Sequence, residues 1–307
     1  MKKRIQNRLA ESRFAFPVMI IYGLAVWLGA GTVAEGAYLQ LVFFVASTLL
    51  MMMLNNTNSL IRIYSRMVSC SFVAITCAAT FLFSSLESCA TGMCFILFYL
   101  SLLRSYQDKR APGIAFYSFA CLGIASLFFV QILYFVPFLW ILMASNMMAL
   151  THRMFWATVL GLVMPYWFAV GYYVVTDQFD AFIDHFAELA QFEPLLQYET
   201  LDIHRIATFG LVALLAVIGI IHYMRNSYLD KIRTRMIFEM FITVDILSFV
   251  FIILQPQHFD NLLPIIIVNS SCLFAHYVAL TRTWLTNVTF IVMCLATLGI
   301  TIFNLMP

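Results

Sequence analysis

Charge is what this sequence of 307 residues has least of, with only 10% Asp, Glu, Lys and Arg. A soluble domain carries about one quarter, so a water-soluble fold of this size is excluded. Glycine and proline are sparse, at 12 and 8 residues, which excludes a collagen-like chain. The high apolar fraction excludes a disordered one. Seven cysteines lie mostly inside apolar runs, where Cys acts as a small apolar side chain, so the chain is not a secreted disulfide scaffold. No CxxC or Cys/His spacing suggests zinc. P-loop, GxGxxG, GxSxG and HExxH motifs are absent, leaving ATPase, nucleotide-redox, hydrolase and zincin chemistry without support. No internal repeat marks an inverted-repeat transporter.

What is present is apolar: 63% of the chain, with 30 Phe and 17 Met and a mean hydropathy of +0.92. A bilayer core about 30 Å thick takes roughly 20 helical residues per crossing. Eleven apolar runs are bounded by charge or turn residues: 15–33, 37–54, 67–84, 90–103, 112–130, 132–149, 154–175, 206–224, 236–254, 262–280 and 285–304. The fifth and sixth meet at Gln131, Tyr134 and Pro137 with no charged loop between them, so their division is open. The runs do not alternate apolar and polar residues as a barrel would. The expected fold is an all-α transmembrane bundle of about 11 spans forming one domain over 1–307, with a periplasmic amphipathic segment at 176–204.

Orientation follows from Lys and Arg in short loops. With the N-terminus cytoplasmic, 16 of the 17 basic residues fall inside and only Arg205 outside. The acids agree: ten of 15 fall outside, namely Glu35, Glu87, Asp177, Asp180, Asp184, Glu188, Glu193, Glu199, Asp202 and Asp260. The C-terminus is then periplasmic. The basic start, from Lys2 to Arg13 beside Phe14 and Phe16, reads as a short surface helix held by anionic headgroups, followed by a retained first span. Cys89 is near the oxidising side with Cys94 about one turn further on, the one pair placed for a disulfide.

The segment 176–204 holds the sharpest local pattern. Phe179, Phe182, Ile183, Phe186, Leu189 and Ala190 recur at spacings of three and four, opposite Asp177, Asp180, Asp184, Glu188 and Gln191. That is an amphipathic helix, capped by Thr176 or Asp177 and closed by Pro194. An acidic helix is repelled by an anionic bilayer, so it should dock on the protein. Asp180, Asp184 and Glu188 are successive i,i+4 neighbours that could bind a divalent cation. The alternative is a plain solvated face.

Two acids fall inside the ninth run. Glu239 is about one turn from the cytoplasmic end, and Asp245 is near the bilayer centre, where an ionisable group marks a functional path or a helix-to-helix hydrogen bond. Runs nine and ten form a hairpin about residues 257 and 258. Glu239 is therefore level with His276, and Asp245 with Asn269 and Ser270. The two acids are about 120° apart on their helix, so only one can face the tenth.

Several stretches resemble an uncharacterised family of multi-pass inner-membrane proteins of Gram-negative bacteria, of about this length. They are Asp108, Lys109 and Arg110, then GIASLFF (Gly123 to Phe129), YFVPFLWI (Tyr134 to Ile141) and GLVMPYWFAVGYYVVTD (Gly161 to Asp177). Members often carry a carotene-cleaving oxygenase label. Here the six histidines are dispersed, at 152, 185, 204, 222, 258 and 276, and no four-histidine iron site can be assembled from them.

The leading functional expectation is an inner-membrane protein handling a polyprenyl-linked envelope-glycan substrate at the periplasmic face. Asp177, Asp180, Asp184 and Glu188 are its candidate catalytic residues, the last three also its metal ligands, with a divalent cation as the cofactor. A second is a proton- or cation-coupled transporter using Asp245, with Asn269, Glu239 and His276 nearby. A third is a noncatalytic scaffold for an envelope complex. The expected partners are the bilayer and that substrate or complex; nothing in the net charge of +2 points to nucleic acid.

Overall fold

A computed structural model describes residues 4–190, Tyr198 and 201–306. Lys2, Lys3, Gln191, Glu193, Pro194 and Glu199, used above, lie outside them. Among the described residues the structure is helical and contains no strand. Its helices are α1 (Ile5–Ala10), α2 (Ala15–Gly29), α3 (Tyr38–Asn58), α4 (Met67–Ala78), α5 (Leu86–Leu102), α6 (Pro112–Phe128), α7 (Val136–Ser145), α8 (His152–Val175), α9 (Phe179–Ala187), α10 (Ile203–Asn226), α11 (Ile232–Leu254), α12 (Phe259–Leu280) and α13 (Trp284–Leu305).

Among the described residues, seven helices are long and apolar enough to cross a membrane: α3, α5, α8, α10, α11, α12 and α13, with α5, α10 and α12 extended by 3-10 turns. The remaining apolar runs are helical but shorter. α4 stops after 12 residues and continues as a 3-10 turn over Thr80–Ser84. Between α6 and α7 the helix breaks at Phe129, whose backbone is extended, and a 3-10 turn over Val130–Phe135 leads into α7. Pro137 starts that helix in its first turn, where the missing N–H costs nothing. The division thus falls at 129, two residues before Gln131, and α7 ends at Ser145, short of the expected 149. The Gln107 N–H donates to Met147 O at 2.8 Å, so 112–145 forms a hairpin with its ends level.

Hydrogen bonds gather the helix ends into two sets. At the basic end, Arg233 donates to Asn58 Oδ1 and Leu103 O, and Arg62 to Leu229 O. At the other end, Ser88 bonds Asn261, and Asn304 donates to Ala78 O and Thr208 Oγ1. Arg205, the exception in the charge sorting, is held there by Asp260 through two bonds of 2.9 Å.

α12 is the central element, with nearly every side chain buried. Its last carbonyls lack partners within the helix, and α1 supplies them. Gln6 Nε2 donates to Val278 O at 2.7 Å and to Thr281 Oγ1, and Asn7 Nδ2 donates to Thr281 O at 2.9 Å. The N-terminal helix is therefore held by two buried amides capping α12, a polar anchor that a reading based on its arginines overlooks.

α6 and α8 pack with their backbones in close approach. A Cβ at Gly161 would stand 2.2 Å from Phe116 O, and one at Gly123 would stand 2.5 Å from Leu162 O. Small residues at such a crossing let two helices gain van der Waals contact along their length. All seven cysteines are free. Cys89 and Cys94, five apart on α5, point about 140° apart round the helix and cannot bridge.

Candidate functional site

The acidic segment after α8 is a short helix. α9 has nine residues, and its apolar face rests on α8, with the Phe186 ring 5.0 Å from Tyr166 and the Phe182 ring 5.9 Å from Tyr173. His185 Nε2 lies 3.0 Å from Ser126 O, adding a tie to α6. Tyr134 donates to Leu189 O from the other flank. The cap differs from expectation. Thr176 Oγ1 turns back to Tyr172 O at 3.0 Å, Asp177 is left-handed with φ of 58°, and Gln178 is the N-cap without a side-chain bond.

Asp177, Asp180, Asp184 and Glu188 are all exposed. Their spacing aligns them along a solvated face without turning them toward one point. Among the described residues no group of three His, Cys, Asp or Glu side chains is placed to hold a metal ion.

The intramembrane polar residues are arranged in separate pairs. Asp245 is fully buried on the side of α11 that faces α12, and Ser270 Oγ lies 3.3 and 3.2 Å from its two carboxyl oxygens. Asn269 turns elsewhere, accepting from Tyr99 OH at 2.8 Å and donating to Ile265 O at 2.9 Å. Glu239 is exposed on another face of α11, where it accepts from Asn146 Nδ2 at 3.1 Å. His276 meets neither acid of α11. Its partner is Asp230 in the turn between α10 and α11, with Nε2 to Oδ2 at 2.9 Å.

Asp230 was missed because the hairpin rule compares only α11 with α12, and an Asp beside Lys231 in a loop looks solvated. The structure buries it and brings Arg62 Nη1 to 3.7 Å from its other oxygen. His222 joins the group, its ring centroid 5.5 Å from that of His276 and its Nδ1 bonded to Asn226. The cue available in sequence was the buried His276 itself, which calls for an acceptor.

A further feature lies apart from these pairs. A cavity of about 420 Å³ is lined by α1, α2, α4, α10, α12 and α13. At the basic end its walls are Leu9, Ser12, Phe14 and Met67; halfway along the helices they are Tyr22, Ile75 and Leu298. From Met67 to Ile75 is about 12 Å at helical rise, close to half of a bilayer core. Almost all of the lining is apolar, and the Tyr22 hydroxyl at the far end is engaged by Thr301 Oγ1 at 3.0 Å. Val18 and Leu298, both in the wall, are also exposed on the side of the bundle, so the cavity opens laterally. Such a space takes a flexible hydrocarbon chain arriving sideways. Nothing along the chain marks it, because its lining comes from six helices, most of them distant from one another in sequence.

Compared with protein-family models, curated proteins and solved structures, the chain matches none.

Proposed function

We propose that this is a multi-pass protein of a bacterial inner membrane, threaded through eleven crossings from a cytoplasmic N-terminus to a periplasmic C-terminus, that handles a lipid-linked substrate. The resemblance to the uncharacterised inner-membrane family and the charge sorting support the location and threading. So do the hydrogen bonds that put ends of α3, α5, α10 and α11 in one set and ends of α4, α5, α10, α12 and α13 in the other. The lateral apolar cavity carries the functional reading: its volume and lining suit one hydrocarbon chain and little else. On this threading the cavity opens to the cytoplasmic leaflet, so the chain of the substrate is received on that side. The exposed Asp177, Asp180, Asp184 and Glu188 serve the outer face as separate carboxylates.

The test is the lipid content of the full-length protein after extraction into native-lipid nanodiscs. Ala74 is in the cavity wall, and Ala74→Trp fills the space. The wild type should retain a lipid that the variant loses while keeping its elution profile. Equal retention by both contradicts the reading.

A second reading, coupling to a proton or cation, is favoured by Asp245, a fully buried carboxyl with Ser270 as its hydroxyl partner. Asp245→Asn keeps the shape and removes the ionisable group. Under this reading a proteoliposome pH gradient no longer drives uptake in the variant, while its thermal stability is retained. Unchanged uptake excludes it.

A further inference from the structure

Building on the lipid reading, we propose that the cavity's occupant is a lipid with an anionic phosphate headgroup, seated with the phosphate at the basic end against Arg13 and Arg66. Three arginines adjoin wall residues of that end along the chain. Arg8 adjoins Leu9, Arg13 stands between Ser12 and Phe14, and Arg66 immediately precedes Met67; each of those four neighbours is a wall residue. The wall contains no Asp or Glu, and Glu11, the nearest acid in sequence, is engaged with a partner of its own. Arg8, Arg13 and Arg66 against Glu11 leave an excess of positive charge beside the mouth of an apolar chamber.

Arg66 adds a specific cue. Its Nε donates to the Tyr64 hydroxyl at 3.3 Å, and its guanidinium carbon lies 5.5 Å from the centre of that ring. The guanidinium is held beside that ring, half-buried and with no carboxylate partner among the described residues, and a phosphate is the partner whose geometry the guanidinium fork matches. Arg13 is exposed beside the mouth and free to close on the same group. An amphiphile with one phosphate and one chain satisfies both ends at once, which neither a neutral lipid nor free phosphate does.

Two photoactivatable probes separate the outcomes: phosphatidic acid and diacylglycerol with the same diazirine-bearing chain, each incorporated into nanodiscs with the full-length protein. Peptides containing Met19 and Met293, both in the wall, report occupancy. The wild type should be labelled by phosphatidic acid about tenfold more than by diacylglycerol, the scale of a charge-assisted contact. Arg66→Gln and Arg13→Gln should each lower the first signal toward the second, leave the second unchanged, and elute as the wild type does. Arg13 is exposed, so its variant keeps the test valid even where Arg66→Gln fails to fold. Equal labelling by both probes, or phosphatidic acid labelling that survives Arg13→Gln and Arg66→Gln, overturns the phosphate assignment while leaving the chain cavity standing. Labelling of the wall by neither probe overturns the cavity reading itself.

Discussion

His276 on the central helix and Asp230 in the turn between α10 and α11 are joined by a hydrogen bond of 2.9 Å between Nε2 and Oδ2, with side chains 1% and 3% exposed. The pair fixes that turn to α12, and Arg62 at 3.7 Å brings in the turn between α3 and α4. Removing one partner leaves the other buried without this bond, a loss of about 1–3 kcal/mol. Asp230→Ala should therefore lower the unfolding midpoint in a detergent titration, and His276→Ala should do so similarly. The double variant should lose less than the two single losses added together. Strict additivity would show that the two side chains do not stabilise each other.

The crossing of α6 and α8 leaves no room for side chains at its two glycines. Gly161→Val places carbon atoms where Phe116 O stands, so the helices must separate, at a cost of about 3 kcal/mol or more. Gly29→Ala is the control, because a Cβ there meets nothing within 4 Å. Thermal unfolding of the two variants checks this: a large loss for the first and little change for the second is expected.

The anchoring of α1 to α12 rests on amides. Replacing Gln6 with Leu should strip the Val278 carbonyl and the Thr281 hydroxyl of their donor, costing about 1–3 kcal/mol. It should also speed hydrogen exchange over residues 5–10. If headgroup attraction holds this helix instead, Gln6→Leu leaves exchange unchanged and Arg8→Gln accelerates it.

The all-helical architecture was legible because each apolar run is long enough to demand internal backbone pairing in hydrocarbon, and each run is helical. Asp245 was legible as the acid of α11 facing α12, since 100° per residue decides which of two acids shares a face with a neighbour. His276 was placed level with Glu239 by depth alone, which did not name its partner: Asp230, from a loop, reaches it. Depth rules work between neighbouring helices and cannot see a turn folded inward. The break at Phe129 and the 3-10 turn after α4 were hidden for a related reason, because hydropathy is blind to a backbone kink inside an apolar run.

The proposed threading has its own test. A periplasm-active reporter fused after Ala190 should be active, and one fused after Tyr228 inactive. The reverse result would turn the bundle over and put the cavity in the opposite leaflet.

The most direct measurement is a cryo-EM reconstruction of the full-length protein in native-lipid nanodiscs. An elongated density is expected inside the space bounded by α2, α4 and α13, starting beside Phe14 and Arg66 and ending short of Tyr22. A wild-type map with that space closed by contact between α2 and α13, or open and free of density, would contradict the account.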